Sequence, residues 1–153
     1  MRPSAQVVPL GLRVGSEFAS PSIVIPKPVI LIVDDEDDIR DVVKEFIQME
    51  TDCDVETACN GREALAILTR LTRPCLVLLD MMMPIMDGRE VLEAMRKNDR
   101  LAAIPVVVVS ASHEGPPDGA VRFIRKPVSF NALLEVVREF ASSTHCSVPE
   151  VEA

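Results

Sequence analysis

The sequence predicts an α/β domain built on a doubly wound, five-stranded parallel sheet, and three observations carry that prediction. From Val29 onward, short aliphatic runs alternate with segments of helical period. Aromatic residues make up only 3% of the chain, with no Trp or Tyr, so the core must come from Val, Leu, Ile, Ala and Met. β-Branched strands of that kind suit a parallel sheet covered on both faces. Acidic, hydroxyl and basic residues also fall just past the ends of the aliphatic runs, on the edge where open α/β sheets place their sites.

Each element has its own signature. Residues Met1–Pro28 hold five of the twelve prolines and no apolar period, and read as a flexible Pro-rich leader. Val29–Val33 is the first strand; Ile39, Val42, Val43, Phe46 and Ile47 follow at helical spacing. Asp54–Ala58 is a short second strand, and Asn60 is placed to cap a helix lined by Ala64, Leu65, Ile67, Leu68 and Leu71. Cys75–Leu79 is the third strand, followed by a Met/Pro/Gly loop and a helix around Arg89–Lys97. The consecutive valines Val106–Val109 mark a central fourth strand. Beyond Ser110 come Gly115, Pro116, Pro117 and Gly119, which leave no room for a full fourth helix. Val121–Ile124 is the fifth strand; Ser129 caps a final amphipathic helix through Ala141, and 142–153 is a loose polar tail. The domain proper thus spans residues 29–141.

A formal net charge of −8 argues against direct contact with nucleic acid or with an anionic membrane surface. The longest purely apolar runs are strand-length, and the N-terminus lacks a secretory pattern, so the expected location is cytoplasmic. Cys53, Cys59, Cys75 and Cys146 form no CxxC pair and lie far from His113 and His145, which argues for reduced thiols over a zinc site.

The chemistry sits at the strand ends. Asp34 and Asp35 close strand one, Asp80 strand three and Ser110 strand four, while Lys126 lies just past strand five. Each alone reads most simply as a turn or cap residue. Together they form a constellation: clustered carboxylates repel one another unless a hard divalent cation intervenes, and Mg²⁺ commonly takes carboxylates, carbonyls and waters beside a phosphate oxygen. A carboxylate beside that ion can attack phosphorus, with a lysine and a hydroxyl available to bind phosphoryl oxygens.

Four segments now resemble a known family. Ile30-Leu31-Ile32-Val33-Asp34-Asp35-Glu36, then Leu79-Asp80-Met81-Met82-Met83-Pro84-Ile85-Met86-Asp87-Gly88, Val109-Ser110-Ala111 and Arg125-Lys126-Pro127 are similar to the signature segments of response-regulator receiver domains of two-component signal transduction, in the same order. The resemblance covers about Val29 to Ala141. It implies a flavodoxin-like sheet of strand order 2-1-3-4-5. It implies Asp80 as phosphoacceptor and Mg²⁺ held by Asp35, Asp80 and the backbone carbonyl of Met82, with Asp34 acting through water. Lys126 and Ser110 would bind the phosphoryl group, Phe123 would be the aromatic switch, and the Lys126–Pro127 bond would be cis. Met82 and Ser112 would flank the path of the hydrolytic water and tune dephosphorylation. The implied donor is a sensor histidine kinase, a phosphotransfer protein or a small phosphodonor. The implied output is phosphorylation-dependent binding of a downstream protein, with no enzymatic turnover beyond the domain's own phosphorylation and dephosphorylation.

One departure qualifies this picture: the Ser110–Lys126 interval is shorter than is usual for the family, and the shortfall lies where a fourth helix would be. Nothing after Ala141 is long enough for an output domain, so the chain reads as a stand-alone receiver or the detached end of something larger. Rival sites fit less well. A calcium-hand loop on Asp34, Glu36, Asp38 and Glu45 has Ile39 where the turn needs Gly, and follows a strand. A haloacid-dehalogenase-type phosphatase would need D-x-D on strand one, where Glu36 fills the second slot. A mononucleotide carrier would need a Gly/Ser/Thr-rich phosphate loop in place of this acid run. A degenerate receiver used only for binding is disfavoured by the full set of phosphorylation residues.

Overall fold

The computed structural model describes residues 26–146, except His113 and the side chains of residues 143–146. The leader up to residue 25 and the tail from residue 147 therefore lie outside the described residues. The strands are β1 (Val29–Val33), β2 (Asp54–Ala58), β3 (Pro74–Asp80), β4 (Val106–Ser110) and β5 (Arg122–Arg125). The helices are α1 (Asp37–Glu50), α2 (Gly61–Arg70), α3 (Gly88–Arg96), a short α4 (Asp99–Ala102) and α5 (Phe130–Cys146). All strand pairs are parallel, in the order β2-β1-β3-β4-β5.

Alternation along the central strands divides the core in two. Leu31, Val33, Val77, Leu79, Val106 and Val108 face a cluster completed by α2, α3 and α4, through Ala64, Leu68, Val91, Met95 and Leu101. Ile30, Ile32, Leu76, Leu78 and Val107 face the other side, against Ile47 of α1 and Leu133 and Val137 of α5. The central strands are thus buried on both faces, as their continuous aliphatic runs require. Both edge strands are more exposed.

Caps fix several helix ends. Asn60 accepts from the Glu63 N–H at 2.9 Å, and Ser129 Oγ accepts from the Ala132 N–H at 3.3 Å, at the two positions where the sequence places caps. Asp87 and Glu90 form a reciprocal capping box at the start of α3. Among the described residues no helix joins β4 to β5, as the Pro and Gly content there dictates.

β3 runs one residue further at each end than the expected Cys75–Leu79, β4 extends one residue to Ser110, and three further details differ from the sequence reading. α5 continues to Cys146 instead of stopping at Ala141, because no Gly or Pro interrupts the Ala-Ser-Ser-Thr-His-Cys stretch. β5 is shifted one residue to Arg122–Arg125. The four-residue α4 is new; Asn98 caps it, and Arg100 within it donates to the Leu68, Thr69 and Leu71 carbonyls, closing the C-terminus of α2 at 2.9–3.0 Å.

Parallel pairing puts the C-terminal ends of β1, β3, β4 and β5 on one edge. The register sets Val33 opposite Leu79, Asp80 opposite Val109, and Ser110 opposite Arg125. The β3–α3 loop is drawn tight over that edge. The Gly88 N–H donates to the Met81 carbonyl at 3.1 Å, and a Cβ on Gly88 would lie 2.7 Å from the Asp80 carbonyl oxygen. Gly61 closes the other side, since a Cβ there would lie 2.7 Å from the Met86 carbonyl oxygen, to which its own N–H donates.

Candidate functional site

Asp34 leaves β1 into a turn whose first anchor is its own carboxylate, which accepts the Glu36 N–H at 2.9 Å. Its other carboxylate oxygen lies 3.3 Å from Lys126 Nζ. Its backbone carbonyl accepts from Arg40 Nη1 at 2.7 Å. Asp34 and Asp80 are both buried, at 6% and 5% exposure, whereas Asp35 is exposed. Carboxylate oxygens of Asp34, Asp35 and Asp80 all lie within 4.8 Å of one another.

Lys126 is carried past the end of β5, where its backbone N–H donates to the Ser110 carbonyl at 3.0 Å. The Lys126–Pro127 bond that follows is cis. Its ammonium reaches three carboxylates: Asp34 at 3.3 Å, Glu36 at 3.4 Å and Asp80 at 3.7 Å. Burial disfavours the charged lysine, but Asp80, Asp34 and the bonds to Asp34 and Glu36 outweigh it and raise its pKa. Asp80 is shifted too. Burial pushes its carboxyl up to about 6; Lys126 opposes, Asp34 and Asp35 add to the rise, and the Met82 N–H, 3.3 Å from Oδ1, pulls it down.

These three buried or crowded carboxylates offer only hard oxygen donors and carry more negative charge than one lysine offsets. That donor set fits a hard divalent cation such as Mg²⁺.

The remaining residues singled out from the sequence stand beside this centre. Ser110 is fully buried at the end of β4, and its Oγ accepts the Ser112 N–H at 3.1 Å. Ser112 Oγ in turn accepts the Glu114 N–H at 3.1 Å. Ser110, Ser112, Met82 and Phe123 line one recess next to Asp80. Met82 is 69% exposed at its mouth. Phe123 is half-buried, with the Arg125 guanidinium 5.8 Å from its ring centroid. Asp34, Asp35, Asp80 and Lys126 are therefore one cluster, and Ser110, Ser112, Met82 and Phe123 its neighbour.

Five further residues take part to which the sequence reading assigned no role at this centre. Glu36 supplies a carboxylate to Lys126, and Arg40 grips the Asp34 carbonyl. Arg125 donates to the Ser112 carbonyl at 2.9 Å, and Arg89 pairs with Glu114 at 2.9 Å, so the β4–β5 loop is tied on two sides. Arg40 stands out in the sequence as a lone cation inside an acid run, and Glu36 and Arg125 lie within the signature segments. Ile85, exposed in the β3–α3 loop, has φ 71°, a left-handed conformation unusual for a β-branched residue. Such outliers gather at functional loops.

Comparison with known proteins agrees with the geometry. The family model of the response regulator receiver domain matches residues 30–138. Response regulator Rre1 of Synechocystis is 32% identical over 77% of this chain and 53% of its own length. The chain thus spans about half the length of the curated relatives it matches. Among solved structures, response regulator TrrA of Thermotoga maritima, in complex with Mg²⁺ and BeF, is 32% identical with a TM-score of 0.66, covering 74% of this chain and 98% of that one. The receiver domain of Francisella response regulator 1452 is 26% identical with a TM-score of 0.69, covering 77% and 99%. The fold, the match over most of its length and the acidic edge lead to one conclusion: the chain belongs to the response regulator receiver domain family of two-component systems.

Proposed function

We propose that Asp80 accepts a phosphoryl group, in a Mg²⁺-dependent reaction, from the phosphohistidine of a sensor histidine kinase or phosphotransfer protein, or from a small phosphodonor. The observation that supports this reading best is the placement of Lys126 Nζ 3.7 Å from Asp80, with the Asp34 and Asp35 carboxylates gathered on the same edge. Asp35, Asp80 and the Met82 backbone carbonyl would hold the ion, with Asp34 acting through water. When bound, Mg²⁺ supplies charge neutralisation for the carboxylates and for the phosphoryl oxygens.

A carboxylate oxygen of Asp80 attacks phosphorus as the bond from phosphorus to the donor's imidazole nitrogen, or to the acetate oxygen of acetyl phosphate, breaks. The leaving group takes that electron pair, and Asp80 becomes an acyl phosphate. Lys126, already poised between Asp80 and Asp34, binds one phosphoryl oxygen as a point charge. The Ser110 hydroxyl, beside the same carboxylate, donates to another. Drawing Ser110 toward the phosphoryl group frees space for Phe123 to turn inward. The Met82 side chain has no group that can orient water by hydrogen bonding, so hydrolysis of the acyl phosphate is slow. Signal output is phosphorylation-dependent binding to a downstream protein.

The test is intact-mass spectrometry after incubation with acetyl phosphate and Mg²⁺. Wild type should gain one phosphoryl group, Asp80→Asn none, and Lys126→Ala should react slowly. An adduct on Asp80→Asn at wild-type yield would show that the nucleophile lies elsewhere.

A further inference from the structure

Arg40 is the sole cation in the run from Asp34 to Asp41. It is the fourth residue of α1, where a positive charge meets the positive end of the helix dipole, so the helix gains nothing from it there. Its side chain is nevertheless only 15% exposed. Burying a guanidinium is costly unless its N–H groups are satisfied, and here two nitrogens are: Nη1 donates to the Asp34 carbonyl at 2.7 Å and Nη2 to Asp37 Oδ1 at 2.6 Å. The Asp37 side chain is 77% exposed, so that ion pair by itself contributes little.

The bond to the carbonyl has the larger consequence. The Asp34–Asp35 peptide unit is planar, so fixing its oxygen fixes the orientation of the whole unit. That orientation sets the directions in which the Asp34 and Asp35 side chains leave the chain. The Asp34 carboxylate is already pinned by the Glu36 N–H and Lys126, whereas Asp35 is exposed. The peptide clamp is therefore a direct constraint on Asp35.

We infer that Arg40 is a positioning residue for the divalent-cation site: its two-pronged grip on the β1–α1 turn aims Asp35 and Asp34 at Asp80. This rests on the Mg²⁺ reading above. It also makes an unusual demand on sign. Removing a cation beside an acidic site strengthens the field that attracts Mg²⁺, so a purely electrostatic Arg40 would, when neutralised, let the ion bind more tightly. A positioning Arg40 requires weaker binding.

Isothermal titration calorimetry of Mg²⁺ into wild type, Arg40→Gln and Arg40→Lys at constant ionic strength separates these. Both variants should bind about tenfold more weakly, the usual scale for residues that orient metal ligands. Arg40→Lys retains the charge but not the fork, and should remain weaker than wild type. Amide NMR shifts of Asp35 and Glu36 in the metal-free variants should move, a readout independent of the ion. Binding by Arg40→Gln as tight as wild type or tighter would overturn the inference, as would a lowered melting temperature with unchanged affinity. If Arg40→Gln does not fold, a wild-type affinity for Arg40→Lys overturns it alone. Absence of Mg²⁺ binding by wild type would instead remove the parent reading, and this inference with it.

Discussion

Burial raises the Asp80 carboxyl to about 6 even though Lys126 stands 3.7 Å away, because desolvation is joined by the charges of Asp34 and Asp35. The folded protein therefore holds a proton on Asp80 more tightly than the unfolded chain, where an ordinary aspartate titrates near 3.8. Stability linked to this group is complete below pH 3.8 and is lost as pH rises through about 6. A shift of that size corresponds to about 3 kcal/mol of instability once Asp80 is ionised. The side chain is only 6% exposed, so solvent screening takes little from this figure. A carboxylate kept charged in a buried acidic site is thus maintained at the expense of the fold. In metal-free buffer, Asp80→Asn should stabilise the protein by up to about 3 kcal/mol at pH 7.5, shrinking to about 1 kcal/mol at pH 4.5, where wild-type Asp80 is mostly protonated. Urea denaturation at the two pH values measures it, and equal gains at both would contradict the burial argument.

At the scale of elements, β1 was legible to the residue because a strand buried on both faces announces itself as an unbroken aliphatic run flanked by polar residues. The strand-end Asp34, Asp35, Asp80 and Lys126 were legible for the same reason: once the strands are placed, parallel pairing puts their C-terminal ends together. What stayed hidden depends on side-chain reach, which no periodicity encodes. Arg40 folds back on the turn before its own helix, and Arg100 of α4 caps a helix from another part of the chain. α4 has one buried side chain, Leu101, and so no period to detect. Val121 looks like strand but is 43% exposed and precedes β5. The β4–β5 connection was legible by exclusion, since Pro116 and Pro117 carry no N–H and cannot propagate a helix. That loop hangs on a short chain of bonds, from Ser110 Oγ to the Ser112 N–H and from Ser112 Oγ to the Glu114 N–H. On the proposed phosphorylation of Asp80, a Ser110 side chain drawn toward the phosphoryl group would lengthen the first of these. Hydrogen exchange on the Mg²⁺-loaded protein should therefore show fast exchange over residues 114–120 before activation. With a beryllofluoride mimic, the Ser112 and Glu114 amides should change protection. Slow, helix-like protection in both states would contradict a loop-based output face.

The whole molecule carries a formal net charge of −8, and its acid run from Asp34 to Asp41 is concentrated on the edge that holds Asp80. Self-repulsion of that kind weakens a compact state, so any added salt should stabilise the protein somewhat by screening. A specific ion does more. If Mg²⁺ binds the folded site and not the unfolded chain, it adds RT ln(1 + [Mg²⁺]/Kd), about 1.4 kcal/mol at ten times Kd, and an increment of a few degrees in melting temperature. The comparison that isolates this term is NaCl at matched ionic strength, which screens equally but cannot bridge carboxylates. Mg²⁺ should raise the melting temperature of wild type beyond the NaCl control, and the excess should vanish in Asp35→Asn, which removes one exposed ligand and leaves the core intact. In Asp80→Asn the excess should also fall, but from a higher metal-free baseline, because that substitution has already relieved the buried charge. Thermal unfolding of the three proteins in the two salts therefore yields a pattern that screening alone cannot produce: a Mg²⁺ excess over NaCl in wild type that Asp35→Asn lacks. Identical shifts with both salts in wild type would mean that the acidic edge acts only through its long-range field and holds no ion of its own.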